Sequence, residues 1–302
     1  MNAHAQPPSS VTPDKVKAAL PELEKFVQQA MQMTGVPGVS IALVHQDKVV
    51  YLKGFGVREV GKTDPVSAET VFQLASASKP IASTVVAAVV SEGLVSWDSR
   101  VSQLDPAFQL YEPYATSQVT IRDLFNHRSG LPGEAGNELE KIIGYSRDEI
   151  LHRLRFMPPA SSFRSAYSYS NFGLTAGAVA AVKPTGKSWE DVSKEKLYDS
   201  LGMTQTSSRH ADFLKETNRS TLHIKVDGGT SPSGEKWTAK LMRQPDAQSP
   251  AGGVSTTARD LAQWVRLQLG HGKHDGKQLI KPEAIAETHV PLNYLGSIPD
   301  NT

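Results

Sequence analysis

Cysteine is absent from the 302 residues, which removes disulfides, thiolate nucleophiles and sulfur-ligated metal sites together. An excess of charge of either sign is missing as well: 32 Lys and Arg face 31 Asp and Glu, a formal net charge of +1. So even a balance creates no field that would draw in nucleic acid or an anionic membrane, and the expected partner is a small molecule. Long hydrophobic runs are also lacking. The longest, Ile81 to Val90, falls short of the ~18 residues of a membrane span and reads as a buried helix. No internal repeat is visible. What is present is a hydrophobic fraction of 39%, enough for one large domain or two closely joined ones.

Residues 1–12 are polar and Pro-rich and read as a disordered tail. Within it, Ala3-His4-Ala5 before Gln6-Pro7-Pro8 resembles the end of a signal-peptide cleavage site, which points to a periplasmic or secreted protein; no apolar stretch precedes it, so a cytoplasmic chain with an Ala/Pro tail is the alternative. Thr12 and Pro13, cap then proline, start a helix whose apolar face carries Val16, Leu20, Leu23, Val27 and Met31. The β-rich runs Gly38 to Val44 and Lys48 to Val57, joined around Gln46-Asp47, predict a hairpin. A short apolar run, Val71 to Leu74, then leads to Ser76 and an apolar helix that stops at Gly93. From residue 94 to 250 the pattern is helices between Pro/Gly/Ser loops with few strands, including a capping box at Ser146 to Glu149, helices over Phe172 to Val182 and Trp189 to Leu201, and a loop from Asp227 to Trp237. Residues 251–302 return to the α/β pattern: Ser255-Thr256 cap an amphipathic helix to Leu269, and Pro282 begins a short last one.

A serine at a helix start and a lysine at i+3 share one face, so the amine can take the hydroxyl proton of an otherwise poor nucleophile, while the helix N-terminus favours a developing oxyanion. Ser-x-x-Lys occurs three times: Ser76-Lys79, Ser193-Lys196 and Ser233-Lys236. Ser193 reads as solvent-facing on an amphipathic helix and Ser233 lies in the Gly/Pro/Ser loop. Only Ser76 begins a long apolar helix directly after a strand, and the plain alternative there is an N-cap serine followed by a solvated lysine.

Of eight tyrosines, only Tyr169 is followed two residues later by asparagine, and it immediately precedes the apolar helix of Phe172, Leu174, Val179 and Val182. A tyrosine beside a lysine can relay a proton to a leaving group, and an asparagine amide can hold a carbonyl. Alone, the pair reads as a buried aromatic before an N-cap asparagine. Ser76-x-x-Lys79, Tyr169-x-Asn171, the intervening Asp123-Leu124-Phe125-Asn126-His127-Arg128-Ser129-Gly130-Leu131-Pro132 and the later Ala251-Gly252-Gly253-Val254-Ser255-Thr256-Thr257-Ala258-Arg259-Asp260-Leu261 together resemble the β-lactamase-related serine hydrolases. That family includes class C β-lactamases, penicillin-binding proteins, D-alanyl-D-alanine carboxypeptidases and family VIII esterases.

The resemblance implies an α/β (α+β) fold: an antiparallel sheet flanked by the N- and C-terminal helices, with the mainly helical region inserted between them and the site at the junction. It implies an acyl-enzyme at Ser76, proton exchange through Lys79 and Tyr169, substrate orientation by Asn171, and half of the oxyanion hole from the Ser76 backbone N–H, with no metal or organic cofactor. The expected partner is a small molecule with an ester, amide or β-lactam carbonyl. The family's third motif, Lys-Thr-Gly or His-x-Gly on a sheet strand, has only His274-Asp275-Gly276 as a match by letters, and Gly270 to Lys277 reads as a loop between helices. After Pro291 the family continues through three more strands and a helix, where here only Asn293 to Thr302 follow, so the sheet is expected to be incomplete, with an edge open to self-association or to a completing partner. Two functions follow as alternatives: a serine hydrolase, or a penicillin-recognising protein without a full oxyanion hole.

Overall fold

Thr12 accepts a hydrogen bond from Lys15 N and Pro13 occupies the first turn, so helix α1 (Pro13–Thr34) begins where the cap and proline place it. It ends at Gly35, whose φ of 71° is the left-handed conformation that closes a helix at least cost to glycine. The computed structural model describes residues 11–226, 236–241 and 243–293 of the chain. The Ala3-His4-Ala5 stretch, Ser233, most of the loop between Asp227 and Trp237, and the residues after Asn293 lie outside the described residues.

Strands β1 (Gly38–His45) and β2 (Lys48–Gly56) form the predicted antiparallel hairpin, in register from Gly38 opposite Gly56 to His45 opposite Lys48, with an irregularity at Leu43/Val44. Gln46 and Asp47 both take positive φ, 49° and 59°, which sets the turn twist that suits a two-residue hairpin loop. Three further strand pairs, each two-stranded and antiparallel, complete the described sheets: β3 (Phe72–Gln73) with β6 (Ser255–Thr256), β4 (Leu222–Lys225) with β5 (Trp237–Leu241), and β7 (Lys273–His274) with β8 (Lys277–Gln278). Ser255-Thr256 therefore pair with β3, and Thr257 caps the following helix through Asp260 N, one residue later than the sequence pattern places the cap. The β4–β5 pair adds strand to a region that reads as helical, and the Gly270 to Lys277 stretch holds a tight hairpin at Asp275-Gly276, both at positive φ.

The remaining helices are α2 (Ser78–Ser91), α3 (Val101–Leu104), α4 (Pro113–Gln118), α5 (Ile121–Phe125), α6 (Arg147–Arg153), α7 (Asn171–Val182), α8 (Trp189–Ser193), α9 (His210–Lys215), α10 (Ser249–Gly252), α11 (Ala258–Leu269) and α12 (Pro282–Ala286). The capping box at Ser146 is formed in both directions with Glu149, at the start of α6. A turn of π-helix and one of 3₁₀-helix carry the chain from α8 on to Leu201.

Helix α7 is apolar on every face, so it must be covered on every face. Leu174, Ala178, Ala181 and Val182 join one core with Ile81, Val85, Val86 and Val89 of α2 and with Trp189, Tyr198 and Leu267. Phe172, Ala176 and Ala180 join a second with Leu124, Leu131, Ile150 and Leu154. Each large aliphatic or Phe side chain buried in this way contributes roughly 1.5–3 kcal/mol. Because α2 and α7 pack in the same core, the segments just ahead of their N-termini are held beside one another, and those segments carry Ser76 and Tyr169.

On the side away from β2, β1 has no partner strand among the described residues. A mainly apolar groove of about 520 Å³ runs there, between β1, Phe72, Leu74 and the Leu261 and Val265 side of α11.

Candidate active site

Ser76 lies in a single 3₁₀ turn, Ala75–Ala77, and the α-helix proper begins at Ser78, two residues later than its placement as a helix start predicts. The turn is fixed from both ends. Leu74 N donates to Val254 O at 2.9 Å, and the fully buried Ser78 Oγ accepts from Val254 N at 3.0 Å. Ala75, immediately before Ser76, sits at φ 48°, a left-handed conformation that Cβ makes costly and that persists only where its surroundings impose it. The consequence is a serine side chain that stands exposed at the head of a buried helix.

Around Ser76 Oγ the predicted partners converge. Tyr169 Oη lies 2.8 Å away, and Lys79 Nζ donates to Ser76 Oγ at 3.2 Å. Lys79 Nζ donates also to Asn171 Oδ1 at 2.7 Å and to the carbonyl of Ala251 at 2.9 Å, and stands 4.7 Å from the centre of the Tyr169 ring. Burial lowers the Lys79 pKa from that of a free lysine, and the Arg243 charge pushes the same way, against the raising influence of Tyr169 and Glu134. Asn171, itself buried, is turned so that its amide nitrogen donates to Asn137 Oδ1 at 3.3 Å, and Asn137 in turn donates to Glu134. Ser170, between the two motif residues, caps α7 through Gly173 N at 3.0 Å.

His127 lies in the Asp123 to Pro132 segment, and residue type alone gives it no role. It grips three successive residues: its carbonyl accepts from Ser168 N at 2.8 Å, its ring lies 4.8 Å from the Tyr169 ring, and its Nδ1 accepts from Ser170 N at 3.1 Å. Accepting at Nδ1 requires the neutral ring. Burial, reinforced by the nearby Lys79 charge, lowers its pKa to about 4. The carbonyl of Ala251 and the guanidinium of Arg243 are further site groups that residue type alone does not reveal, since one is backbone and the other is brought in by a loop.

The structure does not bring His274 or Gly276 to this cluster. His274 Nε2 meets Gln263 Oε1 at 3.1 Å and Arg266 Nη1 at 3.3 Å, and Arg266 is tied to Asp47 at the β1–β2 turn. Arg266 lies eight residues into α11, roughly 12 Å along its axis at 1.5 Å per residue from the end that adjoins Val254. Of the other two Ser-x-x-Lys pairs, Ser233 lies outside the described residues and Ser193-Lys196 lies elsewhere. Ser193 is fully buried rather than solvent-facing and donates to Trp189 O at 2.8 Å, while Lys196 pairs with Glu92. Among the described residues no group of three His, Asp or Glu side chains is placed to hold a metal, and no helix is long and apolar enough to cross a membrane.

The profile of the Beta-lactamase family matches residues 23–294, nearly the whole described chain. The chain belongs to the Beta-lactamase family. Among curated relatives, Unguisins hydrolase ungD of Aspergillus violaceofuscus (strain CBS 115571) is 24% identical over 255 residues, covering 82% of this chain and 45% of that protein. Beta-lactamase-like protein 2 of Dictyostelium discoideum is 23% identical over 287 residues, covering 93% and 50% respectively. Protein flp of Staphylococcus aureus (strain N315) is 25% identical over 261 residues, covering 82% and 48%. The chain thus spans about half the length of the curated relatives it matches. In fold it is similar to the octameric penicillin-binding protein homologue from Pyrococcus abyssi, with a TM-score of 0.73 at 24% identity over 92% of this chain and 62% of that one. The fold is accordingly mixed α/β with small antiparallel sheets, and hydrolase is the name that some of the relatives carry.

Proposed function

We propose that this chain acts as a serine hydrolase that forms an acyl-enzyme at Ser76 and turns over a small ester, amide or β-lactam. The observation that carries the reading is the convergence of Tyr169 Oη and Lys79 Nζ on Ser76 Oγ, at 2.8 and 3.2 Å, within the 2.6–3.2 Å that proton transfer needs. Ser76 Oγ attacks the substrate carbonyl while its proton passes to Lys79 or Tyr169. The same pair returns the proton to the departing alcohol or amine as the carbonyl re-forms, leaving the acyl group on Ser76. Water, deprotonated by the same groups, then releases the acid and restores the serine hydroxyl. Asn171 orients the substrate, and the Ser76 backbone N–H contributes one oxyanion donor. None of these steps is routed through a cofactor.

A second reading is a penicillin-recognising protein that acylates and deacylates slowly. The position of His274 favours it, since no Lys-Thr-Gly or His-x-Gly strand adjoins the site among the described residues, and a missing oxyanion donor costs ~10²–10³ in turnover. Intact-mass measurement after a fluorophosphonate or penicillin tests the first step: a single adduct on the wild-type chain and none on Ser76→Ala is expected, and equal labelling of both refutes the nucleophile. Turnover of a chromogenic ester beside a chromogenic cephalosporin then separates enzyme from slow acylator.

A further inference from the structure

Glu134 stands at φ 60° in the turn that follows Pro132, a left-handed backbone that glycine adopts at least cost. A glutamate kept there, between Gly133 and Gly136, carries strain that a contact of its side chain must offset. That contact is with Asn137: the Glu134 carboxylate accepts from the Asn137 amide nitrogen, and the Asn137 backbone N–H donates to Glu134 O at 3.0 Å. The turn is held in place from two sides. Glu134 N donates to the carbonyl of Tyr169 at 2.8 Å. A Cβ on Gly136 would lie 2.8 Å from both Ile150 Cγ2 and Phe172 Cδ2, so the backbone there is pressed against the second core.

Two buried amides continue from the carboxylate toward the site. Asn137 is 3% exposed and Asn171 7%. An amide side chain has nearly the same shape either way round, and only its hydrogen-bond partners decide which end donates. An ionised carboxylate can only accept, so Asn137 must give Glu134 its NH₂ group. Its Oδ1 is then left for Asn171 Nδ2, at 3.3 Å. Asn171 is thereby turned with its Oδ1 toward Lys79 Nζ, at 2.7 Å. The reverse orientation would set the Asn171 NH₂ against the lysine, donor facing donor. One of the two Nδ2 protons of Asn171 is used on Asn137, which leaves the other for a substrate carbonyl.

We propose that Glu134 and Asn137 are positioning residues for the reaction at Ser76, the carboxylate fixing the orientation of two successive amides so that Lys79 meets an oxygen. The proposal rests on the serine-hydrolase reading and extends it to two residues outside the Ser-x-x-Lys and Tyr-x-Asn motifs. Both residues act through Asn171, so their effect must vanish when Asn171 is removed.

The test is the rate of Ser76 labelling by a fluorophosphonate, followed by intact mass, in the wild type, Asn137→Ala, Asn171→Ala and the double variant. Asn137→Ala is expected to label about tenfold to a hundredfold more slowly, the range for one charge-assisted hydrogen bond. The double variant should label no more slowly than Asn171→Ala alone, which a general loosening of the fold would not produce. Glu134→Gly eases the backbone of the turn while removing the carboxylate, and it too should slow labelling. Glu134→Gln should recover part of the rate, because its amide oxygen still accepts but no longer excludes the reversed orientation. Labelling of Asn137→Ala at the wild-type rate, or effects of Asn137→Ala and Asn171→Ala that multiply in the double variant, overturns the relay while the nucleophile stands. If Ser76 of the wild type does not label, the serine-hydrolase reading fails, and hydrogen exchange of the Asn171 side-chain amide, read by NMR, decides the relay. Faster exchange in Glu134→Gly than in the wild type supports it, and equal exchange overturns it.

Discussion

Lowering the pH from 7 to 5 should destabilise this protein through His127 in a way that can be isolated. The ring is 8% exposed and neutral, with a pKa of about 4 against an ordinary 6.5. The unfolded chain therefore binds a proton that the folded chain refuses between those values. Stability is full above pH ~6.5 and is lost as pH falls toward ~4, below which the difference levels off. For one site with these two values the linkage relation gives a loss of about 2 kcal/mol between pH 7 and pH 5. For a chain of this size that corresponds to about 3 °C in Tm.

His127→Phe removes the titration and leaves Ser170 N without its acceptor, a loss of about 1–3 kcal/mol that does not depend on pH. The other histidines titrate alike in both proteins and cancel in the difference. Urea unfolding of the pair at half-unit steps from pH 4.5 to 7.5 should show the wild-type advantage shrinking by about 2 kcal/mol from pH 7 to pH 5. A gap that stays constant or widens on acidification would refute the claim that the ring is buried in its neutral form.

Lys79→Met should lower kcat by about 10²–10⁴ while leaving thermal unfolding within a few degrees of wild type, measured by stopped assay and calorimetry; an active variant would remove Lys79 from the proton path. Phe172→Ala, at a fully buried side chain shared by α7 and the second core, should cost about 3–5 kcal/mol in urea unfolding. Gly54→Ala should be among the most damaging methyl additions, above about 3 kcal/mol, because the new Cβ is driven into the Val66 carbonyl and neither strand nor loop can yield without breaking its pairing. Near-normal stability there would mean that the β2 edge is looser than its contacts imply.

The parts of this molecule that were legible in the sequence are those encoded within a few residues. Thr12-Pro13, the Ser146–Glu149 box and the hairpin at Gln46-Asp47 are local signals, and each sits where local chemistry puts it. The four-residue cluster of Ser76, Lys79, Tyr169 and Asn171 was legible because two short motifs each lie at the head of an apolar helix. The pairing of Ser255-Thr256 with Phe72-Gln73 was not, since two residues per strand carry no periodicity and the partners are more than 180 positions apart. The burial of Ser193 is hidden for a similar reason: Glu190, Asp191, Lys194 and Glu195 lie around it in sequence, yet Trp189, Val192, Leu197 and Tyr198 are all buried on the same turns. His127 and Arg243 escaped because what they do depends on which backbone they meet across the fold.

The three hydrogen bonds of Lys79 have a consequence for the base role proposed for it. As an ammonium it uses all three protons, one each on Ser76 Oγ, Asn171 Oδ1 and Ala251 O. Loss of one proton leaves two N–H groups and a lone pair to be shared among the same three neighbours. An amide oxygen and a backbone carbonyl can only accept, so both must retain an N–H. The hydroxyl of Ser76 is the one partner able to donate, and the lone pair is left facing it. The neighbours thus sort the amine into its reactive orientation without any movement of the side chain.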